Sequence, residues 1–334
     1  MQRAALCSAL APLVRAMSLP TASTHQPAFL AGDGVQLAVY RWPRRQAPRL
    51  ILIHGYPDNA QLWSACALEL ARDFDVTAYD VRGAGRSDRP DTDSAYAFPH
   101  LMADLRAVID YISPDQPVHL VGHDWGALQG WEAVCEPALS PRIASYTCIS
   151  GPCLDHVGAW LRRGLRHPTA RDASGLLKQA IHSWYIGVFQ LPRLLSACHE
   201  LAGYRGWFAR QQRCEGLLEH PHRLTPQQIA DGQAGIHLYR ANMLPRVLRP
   251  RPRTTDVPVQ VLMPKRDPFM VPAIWSGLNE WAPQLWYQEM DSGHWAPATH
   301  PLTVASHVRE LVDWQVHSRA SLRLLRARRA ATEL

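Results

Sequence analysis

Three residues have the types and spacing for covalent catalysis. Asp124 stands in Gly122-His123-Asp124-Trp125-Gly126, Asp267 precedes Pro268, and His294 follows Gly293. Each comes just after a short apolar run, which puts each at the end of a strand. A Gly-x-nucleophile-x-Gly turn between strand and helix is strained, and glycine leaves no Cβ to clash beside the nucleophile. Here the nucleophile position holds a carboxylate. A serine hydroxyl would first have to lose its proton to histidine. A carboxylate is already anionic at neutral pH. It attacks saturated carbon bearing a leaving oxygen or halide and forms an alkyl-enzyme ester. Histidine is then left to activate water against that ester, with the second aspartate orienting and stabilising it. Taken singly, Asp267 reads as a turn residue and His294 as a loop residue. In the order nucleophile, acid, histidine, each at a strand end, the three read as one triad.

The elements that must position them alternate between strand and helix. Val35 to Trp42 alternates apolar and polar and reads as an edge strand ended by Pro43. Leu50-Ile51-Leu52-Ile53 is solidly apolar, as a strand buried on both faces requires. Residues 60–73 read as a helix with Leu62, Cys66 and Leu70 on one face, capped by Asp58 or Asn59. Further strands are expected at 76–79, 118–123, 143–149, 257–263 and 285–290. Helices are expected at 98–113, after Gly126, after Asp267 and at 300–316. This alternation implies an α/β fold with a mostly parallel, doubly wound sheet. Sites in such sheets lie at the carboxyl ends of strands, where His54, Arg82 and Asp124 fall.

Apolar strand runs cease between 154 and 256, a stretch that holds Trp160, Trp184, Tyr185, Tyr204, Trp207 and Tyr239. It reads as a helical lid inserted between two halves of the core. Arg249-Pro250-Arg251-Pro252-Arg253 closes it as a stiff, solvated connector. The expected division is an N-terminal extension at 1–27, a core at 28–153 and 257–317, the lid at 154–256 and a basic tail at 318–334. The tail reads as a frayed terminus. As a basic amphipathic helix it would leave a membrane-surface contact open.

Composition narrows the function classes. A chain of 334 residues suits an α/β domain with an insertion, and 47% hydrophobic with 19% charged residues is ordinary for a soluble globular protein. The net charge of +6 is almost all arginine, lysine occurring only at Lys178 and Lys265. The arginines are scattered without interleaved aromatics, which argues against nucleic-acid binding. The 7 cysteines lack regular spacing. Cys148 and Cys153 flank Gly151-Pro152, but no second close pair completes a zinc site. Free thiols in a reducing cytosol follow, with a cytoplasmic location and no metal or cofactor. Met1-Gln2-Arg3 and the apolar Ala4 to Val14 faintly resemble a signal peptide, yet Arg15 and the lack of a small-x-small cleavage site oppose it. Met17 is an alternative start. No apolar run reaches the length of a membrane span. A homodimer is left open.

The motifs His54-Gly55-Tyr56-Pro57, Arg82-Gly83-Ala84-Gly85-Arg86-Ser87, Gly122-His123-Asp124-Trp125-Gly126, Asp267-Pro268 and Gly293-His294 together resemble the epoxide hydrolases of the α/β-hydrolase fold. The resemblance runs from about residue 28 to 317 and is closest to the hydrolase half of mycobacterial proteins that fuse such an enzyme to a short-chain dehydrogenase. No Gly-x-x-x-Gly-x-Gly stretch follows here, so dehydrogenase activity does not carry over. The resemblance implies a small hydrophobic epoxide as substrate. It implies backbone N–H groups of Tyr56 and Trp125 as the oxyanion hole, and Tyr185 and Tyr239 as lid phenols that protonate the epoxide oxygen. Haloalkane dehalogenases share the aspartate and a tryptophan after it, but Tyr56 fits epoxide hydrolases better. Fluoroacetate dehalogenases carry arginine where Trp125 stands. A serine esterase is disfavoured because Ser150 lacks the flanking pattern. A non-catalytic receptor on the same fold would not need His294. The tryptophans, 12 in all, suggest an aromatic-lined pocket.

Overall fold

The computed structural model of the chain describes residues 26–166, 169–191, 210–217 and 226–331. The run Ala4 to Val14, Met17, Tyr204 and Trp207 lie outside them. The described strands are β1 (Ala28–Ala31), β2 (Gln36–Trp42), β3 (Arg49–Ile53), β4 (Asp75–Tyr79), β5 (Val118–His123), β6 (Ile143–Ile149), β7 (Val259–Pro264) and β8 (Leu285–Met290). They form one sheet in the order β1-β2-β4-β3-β5-β6-β7-β8. The pairs β1/β2 and β2/β4 are antiparallel, and every pair from β4 onward is parallel. β2 is therefore not the edge that its alternation suggested. β1 covers it, and its successive residues Leu37, Ala38 and Val39 are buried, on both faces of the sheet. Leu50 to Ile53 and all of β5 are buried, as central parallel strands flanked by helices must be.

The crossover helices are α1 (Ser64–Leu70), α2 (Phe98–Ile112) and α3 (Trp125–Val134). The Asn59 side chain accepts the Gln61 N–H at 3.1 Å and caps the short 3₁₀ turn leading into α1. After β6 come the inserted helices α4 (Leu154–Arg166), α5 (Ala170–His182), α6 (Trp184–Phe189) and α7 (Pro226–Leu248). The helix expected after Asp267 does not form. Two 3₁₀ turns, Pro272–Trp275 and Leu278–Glu280, stand there. Pro268 and Pro272 withhold backbone donors, and Gly277 at φ 77° breaks the run between the turns. The core closes with α8 (Ala296–Thr299) and α9 (Pro301–His317).

The arginine-proline connector is not a solvated spacer. Arg253 donates to Glu132 at 2.6 Å and to Asp155 at 2.6 Å, and Arg251 reaches Glu132 at 3.1 Å. Arg246 of α7 adds contacts to Asp155 at 3.0 Å and Glu132 at 2.5 Å. Both carboxylates are buried, and buried charges persist only when paired and hydrogen-bonded. Glu132 belongs to α3, Asp155 to the start of the insertion, and the arginines to its end. One ionic cluster thus ties both ends of the insertion to the core.

The basic tail is also not frayed. Its helix α10 (Leu322–Ala331) lies against β8, the far edge strand, with Leu324 and Ala327 buried beside Trp286 and Leu311. The Arg328 guanidinium stacks 5.0 Å from the Trp286 ring and donates to the Leu285 carbonyl at 3.0 Å. Arg323 pairs with Glu310 at 2.7 Å. The apolar stripe of the helix is spent on covering a sheet edge, which would otherwise present unpaired strand groups. No described helix is long and apolar enough to cross a membrane, and the five described cysteines are free thiols. Leu324→Ala is expected to cost about 2–4 kcal/mol, as for a buried leucine. A lowered denaturant midpoint measures it, and an unchanged midpoint would mean that α10 is not docked in solution.

Candidate active site

The turn after β5 holds Asp124 at φ 52° and ψ −119°, a conformation that costs energy for any residue with a Cβ. Asp124 N–H donates to the Ile149 carbonyl at 3.0 Å, which pins the turn to β6. A Cβ at Gly126 would collide with the Ile53 carbonyl, and one at Gly122 with the Gly126 carbonyl. Backbone cannot yield there, so both positions require glycine. The result is a carboxylate lifted off the end of the sheet.

Three groups face that carboxylate. The Tyr56 N–H donates to Asp124 Oδ1 at 2.7 Å, and the Trp125 N–H at the start of α3 also favours the ionised carboxylate. His294 Nε2 stands 3.8 Å from Asp124 Oδ2. On its other side His294 Nδ1 donates to Asp267 Oδ2 at 3.0 Å, and Asp267 Oδ1 accepts the Phe269 N–H at 2.8 Å. The strands end side by side in the sheet, so residues 124, 267 and 294 meet although they are far apart in sequence. Burial pushes the Asp124 carboxyl up to about 6, against the pull of His294 and the two N–H groups. Burial would depress His294, but the charge and hydrogen bond of Asp267, then the charge of Asp124, raise it to about 9. Burial would raise Asp267, but His294 draws it below the ordinary carboxylate range. At neutral pH the site therefore holds an imidazolium between two carboxylates.

Above Asp124 lies a cavity of about 370 Å³. Tyr185 and Tyr239 both line it, with Trp125, Trp160, Met243 and Phe269. The Trp125 ring packs edge to face on Tyr239, with centroids 4.9 Å apart. The ring centroids of Tyr185 and Tyr239 are 6.0 Å apart, and Tyr239 packs 5.2 Å from Tyr56. Burial, then neighbouring charge including Asp124, raises both phenols well above their ordinary range, so both stay protonated. Elsewhere the lining is almost wholly apolar. Gln179 is an exception, but its amide is occupied by the Phe269 carbonyl at 2.9 Å and the Val271 N–H at 3.1 Å. Of the tryptophans, only Trp125 and Trp160 line the cavity among the described residues. Trp63, Trp131, Trp275 and Trp295 are fully buried in the core.

α7 carries Tyr239 and is pinned on both sides of it. Asp231 accepts from the Gly85 N–H at 3.0 Å, Asn59 at 2.9 Å and Arg89 at 2.5 Å. Asn242 accepts the Phe98 N–H at 2.8 Å and donates to the Tyr96 carbonyl at 2.9 Å. Gly235 lets the helix settle on the Tyr56 ring, which a Cβ would meet at 2.6 Å. Arg82 and His54, although at strand ends, are structural. Arg82 is buried and paired with Asp104 at 2.7 Å, and His54 Nε2 accepts the Val81 N–H at 2.9 Å. Two residues near the triad escaped the sequence. His123 donates from Nε2 to the His294 carbonyl at 2.9 Å, and burial depresses its pKa to about 3, so it stays neutral. Glu215, in Arg213-Cys214-Glu215 without any motif, accepts backbone N–H groups at residues 294 and 295.

The Asp267→Asn variant removes the nearest charge holding the His294 proton. The His294 imidazole is then expected to lose its proton about 1–3 pH units lower than in the native chain. Histidine resonances followed by NMR through a pH titration measure it. An unmoved titration would mean that Asp267 does not govern His294.

The model of the alpha/beta hydrolase fold matches residues 48–301. A Mycobacterium tuberculosis protein named probable oxidoreductase EphD is 32% identical over 300 residues, which cover 88% of this chain and 50% of that protein. The chain spans about half the length of the EphD relatives it matches. Epoxide hydrolase A of the same organism is 39% identical over 124 residues, 36% of this chain and 37% of that protein. The Bacillus megaterium epoxide hydrolase, solved with an inhibitor, superposes with a TM-score of 0.68 at 22% identity, covering 86% of this chain and 100% of that one. The likeness that the motifs suggested is thus found again in relatives and in fold. With the matched model spanning β3 to β8 and the elbow, this chain belongs to the alpha/beta hydrolase fold family.

Proposed function

We propose that the chain is an epoxide hydrolase that opens a small hydrophobic epoxide to a vicinal diol, with the inserted helices as its lid. The observation that carries this reading is the pairing of an aspartate nucleophile with two protonated phenols, Tyr185 and Tyr239, on one apolar cavity. Asp124 attacks an epoxide carbon, and the C–O bond breaks toward the oxygen. That oxygen gains charge as it leaves, and the phenols supply hydrogen bonds and a proton to it. Ester formation consumes the Asp124 charge that helps to hold the His294 proton. The imidazolium thereby becomes a stronger acid and yields the proton that the site has given to the alkoxide. Neutral imidazole then takes a proton from water, and the water oxygen attacks the Asp124 carbonyl carbon. The Tyr56 and Trp125 N–H groups receive the oxyanion; in comparable sites one such donor is worth roughly 3–4 kcal/mol. Collapse releases the diol and restores Asp124 and imidazolium, so protons balance over the cycle.

A haloalkane dehalogenase would use the same Asp124 and His294. It would need N–H donors aimed at a halide. This cavity instead sets two phenols, Tyr185 and Tyr239, beside Asp124, which favours the epoxide.

Turnover distinguishes the readings. Styrene oxide is expected to give diol, and 1,2-dibromoethane no bromide. Bromide without diol would overturn the proposal, and neither product would favour a non-catalytic receptor. His294→Gln is expected to trap the ester, seen as a substrate-sized gain in intact mass. An unchanged mass with substrate bound would count against covalent catalysis. Tyr185→Phe and Tyr239→Phe are each expected to slow ring opening tenfold or more, and together by about 10²–10⁴-fold. Unaltered rates in both would remove the phenols from the mechanism. Only ionised Asp124 attacks, so single-turnover ester formation is expected to fall as pH drops through about 6. A flat profile to pH about 4.5 would contradict that ionisation.

A further inference from the structure

Asp267 of the core fixes the His294 imidazole at 3.0 Å, and the His294 N–H is held by a residue of the insertion. Glu215 lies in the insertion, just past the helical residues 210–214. Its Oε1 accepts the His294 N–H at 2.8 Å and its Oε2 accepts the Trp295 N–H at 3.0 Å. The two oxygens of one carboxylate thus engage two successive backbone donors, a match that one planar anion satisfies. Gly293 leaves the approach open, because a Cβ there would meet Glu215 Oε2 at 2.5 Å and overlap the rest of its carboxyl group. From the opposite side His123 donates to the His294 carbonyl at 2.9 Å. Phe269 packs 4.5 Å from the imidazole, ring centroid to ring centroid. Both Glu215 oxygens are taken up by main-chain N–H groups, so it acts on His294 through the backbone.

We infer that Glu215 is a positioning residue for ester hydrolysis: through the His294 and Trp295 N–H groups it sets where the imidazole stands over the Asp124 carbonyl carbon. The inference rests on the proposed hydrolase reading. The two half-reactions depend differently on this contact. Attack by Asp124 needs its carboxylate aimed, which the Tyr56 and Trp125 N–H groups do. Attack by water needs His294 within hydrogen-bond reach of that water, and a displacement of about 1 Å in such a group costs up to about 10²-fold in rate.

The test uses the full chain carrying Glu215→Ala or Glu215→Gln, with styrene oxide in single-turnover rapid quench and intact-mass detection. Ester formation is expected within about twofold of native, whereas ester decay slows about 10- to 100-fold in Glu215→Ala. Glu215→Gln keeps one acceptor and is expected in between. Hydrogen exchange of the peptide bearing His294 and Trp295 is read in parallel, without substrate. It is expected to accelerate about tenfold or more in Glu215→Ala, with the sheet unchanged. Equal slowing of both steps, an unchanged ester lifetime, or unchanged exchange at 294–295 would each overturn the inference. If the native chain itself opens no epoxide, the hydrolase reading fails, and exchange alone then decides whether Glu215 holds this loop.

Discussion

A buried carboxylate must remain an anion beside an apolar cavity, and the site is arranged around that constraint. Asp124 is desolvated, which favours its neutral form. Two backbone N–H groups and an imidazolium offset that tendency. The imidazolium is buried too, and persists because Asp267 faces its other nitrogen. Each charge is tolerable only while the others are in place. That interdependence requires four strand ends to arrive in fixed register, which a parallel sheet with short, rigid turns provides.

Under the proposed hydrolase reading, the same electrostatics would divide the chemistry into two stages. While Asp124 is ionised, its charge helps to keep His294 protonated. An ester on Asp124 would remove that charge and free the imidazole to act as base. The phenols behave oppositely. Burial keeps Tyr185 and Tyr239 protonated, so under that reading they would serve as donors to the leaving oxygen.

The inserted helices are held against this core by charge pairs and backbone hydrogen bonds as well as by apolar packing, with Val157, Trp160, Phe189, Ile236 and Leu238 in the same hydrophobic cluster as the sheet. Arg246, Arg251 and Arg253 close on Glu132 and Asp155 at the root of the insertion. Asp231 and Asn242 hold α7 farther along. Part of that apolar surface also lines the cavity. α10 plays an analogous part at the far edge, where an arginine-rich helix shields β8.

Most of the framework was legible in the residues. Apolar runs of four to seven mark strands because a parallel sheet is buried on both faces, and β3, β5, β6 and β8 lie where those runs stand. The elbow was legible because its glycines answer a local clash. The gathering of Asp124, Asp267 and His294 followed from strand-end placement and chain order. What failed to show involved partners distant in sequence. Arg251 and Arg253 read as solvated because nothing local reveals Glu132 and Asp155. The tail read as frayed because its apolar stripe is short and its cover is β8. Glu215 carried no motif, since a carboxylate that accepts backbone N–H groups needs no particular neighbours in sequence. Local sterics and burial sufficed to place Asp124 on a strained elbow and to lay out the sheet. Which charges are paired, which tyrosines share the cavity and what holds His294 came with the folded chain, because each depends on distances between residues far apart in sequence.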